Sequence, residues 1–241
     1  MKKSYIIIGV VVVVMLATIG IYAAINSNSQ SKKQLEENST NIEGTTNTEN
    51  SAKENKDGNI QNNQISNESE ENNMYSTGKH HAEIVVKNYG TIALELDADV
   101  APITVENFAN LVNEGFYNGL TFHRIISEFM IQGGDPLGNG TGGSSKTIKG
   151  EFASNGVKNS ISHVRGTISM ARSSMPNSAS SQFFIVHQDS TFLDGKYAAF
   201  GTVTSGMEVV DKICADTAVE DDNGTVAKNN QPVIEKITII D

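Results

Sequence analysis

A chain of 241 residues is long enough for one or two domains, and a net charge of −10 argues against the clustered lysines and arginines of a nucleic-acid footprint. Its one cysteine, Cys214, excludes an intrachain disulfide. The helical spacing around Cys214 makes it a packing residue rather than a nucleophile.

Met1-Lys2-Lys3 precedes an apolar run from Tyr5 to Ile25. About 20 apolar residues suffice to span a bilayer, and lysines before the span stay in the cytoplasm. Residues 1–25 are therefore expected to be an uncleaved single-pass membrane anchor, with the rest of the chain outside the cytoplasm. The alternative is a cleaved signal peptide and a secreted protein, for which Tyr22-Ala23-Ala24 is a weak cleavage site. Residues 26–78 are rich in Asn, Ser, Glu, Gln and Thr, and their isolated apolar residues (Leu35, Ile42, Ile60, Ile65) have no period. Such a segment buries too little to offset chain entropy, so a disordered tether is expected.

Residues 79–241 read as the folded domain. His81 to Val86 and Thr91 to Leu96 alternate about Lys87-Asn88-Tyr89-Gly90, a hairpin signal. Val105, Phe108, Ala109 and Val112 then fall at i, i+3, i+4 and i+7, which predicts a helix with Pro102 in its first turn and Gly115 at its end. Phe122 to Gly133 reads as strand, Ser127-Glu128 turn, strand. Met130 and Gln132 share a face of the second strand, beside Arg124. A hydrophobic floor with one guanidinium and one amide suits a neutral, apolar ligand bearing a carbonyl. Further strands are predicted at Thr167–Met170, Phe183–Val186, Phe200–Thr204 and Ile234–Ile240, and a second helix from Met207 to Cys214. The pattern is mainly β, a barrel or a sandwich. Asn139-Gly140-Thr141-Gly142-Gly143 lacks the Gly-Lys-Ser/Thr ending of a phosphate loop. No second His or Cys stands at ligand spacing from His123. Asp221-Asp222-Asn223-Gly224 lacks the ligand spacing of a calcium loop and reads as a turn.

Five blocks resemble the cyclophilins, the peptidyl-prolyl cis-trans isomerases. They are Phe122 to Asp135, Asn139 to Gly143, Gly166 to Arg172, Ser181 to Ile185, and Phe192 to Gly201. The resemblance, closest to the bacterial branch, implies a closed eight-stranded antiparallel β-barrel capped at each end by a helix, with ligands on its outer surface. It implies isomerisation of X-Pro peptide bonds, which here is expected to assist folding of exported proteins, and it implies no cofactor and no metal. It assigns the catalytic centre to Arg124, with Gln132 orienting it and Phe129 beside the proline ring. Met130, Phe184 and Leu193 complete the apolar slot; Ala171 and Arg172 form the edge that pairs with substrate; Gln182 and Gly140 receive the residues before proline. Tyr197 stands where many members have His, and Arg172 where Asn is common. Phe192 replaces a Trp that donates a hydrogen bond to cyclosporin, so weakened cyclosporin binding is expected. The partners implied are unfolded or loop-exposed X-Pro segments of other proteins and, through the anchor, the membrane. The alternative is a non-catalytic cyclophilin-like module that binds proline-containing segments.

Overall fold

Alternation of apolar side chains lays out the sheet. The computed structural model describes residues 74–241, so the expected anchor and the expected tether as far as residue 73 lie outside the described residues, while Tyr75, within the expected tether, packs against the core. The strands are β1 (Lys79–Val86), β2 (Gly90–Asp97), β3 (Phe122–Ile126), β4 (Met130–Gly133), β5 (Thr167–Met170), β6 (Phe183–Val186), β7 (Ala199–Ser205) and β8 (Ile234–Ile239). They form one sheet in the order β3-β4-β6-β5-β7-β2-β1-β8, every pair antiparallel. Register shifts interrupt four ladders, between β1 and β8, β2 and β7, β3 and β4, and β5 and β7. Each such bulge adds local twist, and together they curl the sheet.

Two helices pack on it. In α1 (Pro102–Asn113) Val105, Phe108, Ala109 and Val112 are buried, as their spacing predicts. Phe108 meets Phe183 and Phe200 with ring centroids 5.7 and 5.3 Å apart. In α2 (Met207–Asp216) Val209, Val210 and Ile213 are buried. Cys214 packs half-buried against the same core, and burial pushes its thiol up to about 12, which suits a packing residue and not a nucleophile. Among the described residues no helix is long and apolar enough to cross a membrane.

The sheet is open, which corrects the expected closed barrel. β3 and β8 are its edges, and among the described residues no ladder joins them. The reason is local. The outer edge of β3 is taken by the segment Gly224–Val226, where Ile125 N–H donates to Gly224 O (2.8 Å) and Val226 N–H to His123 O (3.0 Å). β8 meets only the approach to β3, through Gly119 N–H to Ile234 O, Ile234 N–H to Leu120 O and Phe122 N–H to Pro232 O. A single bridge, Thr121 to Val233, marks this seam.

β4 and β6 place the site. Successive side chains point to opposite faces. Ile131, Phe183 and Ile185 join the main core, while Met130, Phe184 and Val186 form a second apolar cluster with Phe129 and Leu193 on the other face. That second cluster is the floor of a cleft.

Candidate active site

Register brings Arg124 opposite Gln132 and Ile126 opposite Met130, so the arginine and the amide rise side by side at the edge of the apolar floor. Gln132 in turn faces Phe184 on β6. A cleft of about 390 Å³ is lined by Arg124, Phe129, Met130, Gln132, Ala171, Arg172, Phe184, Leu193 and Tyr197. Nine of the twelve residues assigned from the sequence thus meet in one place. Phe192 stands on the rim, half-exposed, its ring 5.6 Å from that of Phe129. Gln182 and Gly140 lie outside the lining; Gln182 is bonded to Gln132 in it, and Gly140 to Gln182.

One hydrogen-bonded chain ties these groups together. Arg124 Nη1 donates to Gln132 Oε1 (3.2 Å), Gln132 Nε2 to Gln182 Oε1 (2.9 Å), and Gln182 Nε2 to the carbonyls of Gly140 (3.1 Å) and Gly142 (2.7 Å). The chain fixes both amide orientations, because each oxygen accepts and each nitrogen donates. Arg124 Nε is held separately, by Asn223 O at 2.8 Å. Burial pulls the Arg124 guanidinium below its ordinary value, opposed by Tyr197 and Asp221. It stays a cation, since arginine does not deprotonate in proteins. The arrangement offers a fixed positive donor beside an apolar slot.

The family model for the cyclophilin type peptidyl-prolyl cis-trans isomerase/CLD matches residues 81–240. The chain belongs to the cyclophilin family. A peptidyl-prolyl cis-trans isomerase of Helicobacter pylori is 50% identical over 128 residues, 52% of this chain and 76% of that one. A probable peptidyl-prolyl cis-trans isomerase of Brucella suis is 46% identical over 158 residues, 61% of this chain and 76% of its own length. The crystal structure of a Cryptosporidium parvum cyclophilin type peptidyl-prolyl cis-trans isomerase superposes with a TM-score of 0.60 at 30% identity, covering 68% of this chain and 99% of that one.

This cyclophilin's cleft has three supports whose bracing role was not legible in the sequence. Arg172 lies between the rings of Phe152 (4.9 Å) and Tyr197 (4.7 Å) and donates through Nε and Nη2 to Lys196 O. It therefore braces the aromatic wall as well as lining the cleft. Beneath the floor, His163 stacks on Phe184 with centroids 6.0 Å apart. Its Nδ1–H donates to Asp194 Oδ1 (2.9 Å), which leaves Nε2 to accept from the Ser169 hydroxyl (3.0 Å). Ser169 is wholly buried, so the Ser-His-Asp order is a brace and not a hydrolytic triad. Asp194 sits inside the recognised Phe192 to Gly201 block, which was its only signal. The third support is the Asp221–Thr225 loop behind Arg124.

His123, next to Arg124 in β3, is 4% exposed and neither ring nitrogen has a hydrogen-bond partner in the protein. Burial pushes it down to about 4, from the ordinary 6.5. The unfolded chain then takes up the proton first as pH falls. Stability is present in full above pH 6.5 and is lost on acidification down to about pH 4, by about 3 kcal/mol for this group. His163, also lowered by burial, adds a loss of the same sign. His123→Leu removes the buried unpaired nitrogens, so urea midpoints measured from pH 7 to 4 should fall less steeply than in the parent. An unchanged slope would show that His123 does not carry it.

Proposed function

We propose that the cleft holds an X-Pro segment with the proline ring on Phe129, Met130, Phe184 and Leu193, and that Arg124 stabilises the twisted amide. The chain is a peptidyl-prolyl cis-trans isomerase. Resonance opposes rotation of the bond with a barrier of about 18–20 kcal/mol, and uncatalysed exchange before proline takes tens to hundreds of seconds. No bond needs to break. As the amide twists, the prolyl nitrogen pyramidalises and regains a lone pair, which an N–H of Arg124 meets as a donor. That interaction exists only in the twisted state, so it lowers the barrier rather than tightening the ground state. Gln132 takes up one Nη1 hydrogen of Arg124 and orients the rest. The single observation that carries this reading is the guanidinium fixed at two atoms beside an apolar slot.

The same reading gives residues 1–25 to a membrane anchor, 26–78 to a tether and 79–241 to the isomerase, which works outside the cytoplasm on exported chains. Lys2 and Lys3 before the long apolar run support it. Cell fractionation that recovers a soluble form starting near Ala24 would overturn the anchor.

The test is a protease-coupled assay on an X-Pro tetrapeptide with the full chain. Faster isomerisation than in buffer is expected. Peptide binding without acceleration would leave a binding module instead. In the same assay cyclosporin should inhibit only well above stoichiometric concentration. Phe192 offers no N–H on the rim, and one lost hydrogen bond to a ligand weakens binding about tenfold. A near-stoichiometric titration would contradict this.

A further inference from the structure

Arg124 is aimed from behind. Its Nε donates to a main-chain carbonyl, Asn223 O, which belongs to a loop 99 residues further along the chain. The position of that oxygen decides which way the two Nη groups face.

The loop is set by one carboxylate. Asp221 Oδ1 accepts from Thr225 N–H (3.0 Å) and Oδ2 from the Thr225 hydroxyl (2.8 Å). Gly224 N–H bonds Asp221 O (3.0 Å) and Glu220 N–H bonds Thr225 O (2.7 Å), which closes the turn. The turn then lies on β3 through Gly224 O, Val226 N–H and a bridge from Thr225 to Arg124 itself. Gly224 is required there. Its φ is +81°, and a Cβ would stand 2.3 Å from Ile125 O and 2.6 Å from Ile126 Cγ1. Asp221 itself is exposed and does not line the cleft.

We propose that Asp221 is a positioning residue for the isomerisation: it fixes the Asp221–Thr225 turn so that Asn223 O holds Arg124 Nε and leaves the Nη groups facing the substrate amide. Its negative charge also favours the guanidinium cation. The inference rests on Arg124 as the catalytic group. The sequence motif Asp221-Asp222-Asn223-Gly224 thereby gains a role beyond a turn before the last strand.

The experiment compares the full chain with Asp221→Ala, Asp221→Asn and Thr225→Val. Asp221→Ala should lower kcat about five- to tenfold with KM unchanged within about twofold, the effect of misplacing one transition-state donor. Asp221→Asn should lose less, because its amide oxygen still accepts the Thr225 N–H. Thr225→Val, which keeps the backbone and drops the hydroxyl, should lose less than Asp221→Ala too. The second readout is the Arg124 Nε–H resonance, assigned by its absence in Arg124→Lys. Its hydrogen exchange should quicken in Asp221→Ala, while amides of β5 and β6 keep their protection. Unchanged Nε–H exchange would overturn the proposal, as would a loss confined to KM. If the parent chain proved inactive, Nε–H exchange would still decide whether Asp221 holds the guanidinium, so the two failures are distinguishable.

Discussion

Arg124→Ala should lower kcat/KM for X-Pro isomerisation by about 10²- to 10³-fold, the usual cost of removing one donor aimed at developing charge. Each factor of ten is about 1.4 kcal/mol of barrier. The loss should fall on kcat, because the apolar floor proposed to bind the proline ring stays in place. Phe129, Met130, Phe184 and Leu193 form an apolar cluster of their own, which Arg124 touches through Nη1 at the Met130 sulfur, 4.0 Å away. Arg124→Lys should recover little. A lysine has no planar fork, so it cannot bond Asn223 O through one nitrogen and Gln132 Oε1 through another while still presenting a donor. The variants should keep the parent's unfolding midpoint to within a few degrees, since the arginine lies at the sheet edge and not in the main core. A folded Arg124→Ala that isomerises within about threefold of the parent would remove Arg124 from the mechanism, because a donor worth less than about 1 kcal/mol cannot be the centre.

Glu151→Ala should cost about 4 kcal/mol of folding stability, read from denaturant midpoints. Helix α1 starts without a local cap. Ala101 has no side-chain oxygen and Pro102 has no N–H, so the first donors are those of Ile103 and Thr104. Glu151, 2% exposed, takes both, at 3.1 and 2.8 Å, and also the Thr104 hydroxyl at 2.6 Å. Its charge faces the positive end of the helix dipole. Truncation strands the buried N–H and hydroxyl of Thr104 and the part-buried N–H of Ile103, and each donor left buried and unpaired costs roughly 1–3 kcal/mol. Glu151→Gln keeps an acceptor and should lose about half as much. A loss below about 1 kcal/mol in Glu151→Ala would mean that water serves these donors equally well.

Glu151 also marks where the sequence falls silent. A local cap such as Ser or Asp before Pro102 would have been legible, but this cap comes from 47 residues downstream. The helices and the outer strands were legible because their periods are clean, as in Val105, Phe108, Ala109 and Val112, and the central strands because they are short apolar runs such as Phe183 to Val186. The two faces of β4 and β6 were not. Both faces are apolar, so alternation separates Met130 and Phe184 from Ile131 and Phe183 without saying which face is core and which is cleft. The family resemblance supplied that choice. Barrel closure was misjudged for a similar reason. Whether β8 pairs with β3 depends on what else occupies the edge, and the occupant is Gly224–Val226, of which only Gly224 was legible, as the end of the turn from Asp221. His163 and Asp194, 31 residues apart, gave no joint signal either.

The covered edge of β3 bears on how such a protein lives among its substrates. A bare strand edge is a template for any extended chain, and unfolded proteins are full of extended chains. Along β3 the outward groups at Phe122, His123 and Ile125 are already engaged by Pro232, Val226 and Gly224. A peptide arriving at Arg124 therefore finds no free ladder along β3 on which to add a strand. It meets the slot proposed to take one proline ring. On this side the fold leaves no bare edge on which an extended chain could aggregate.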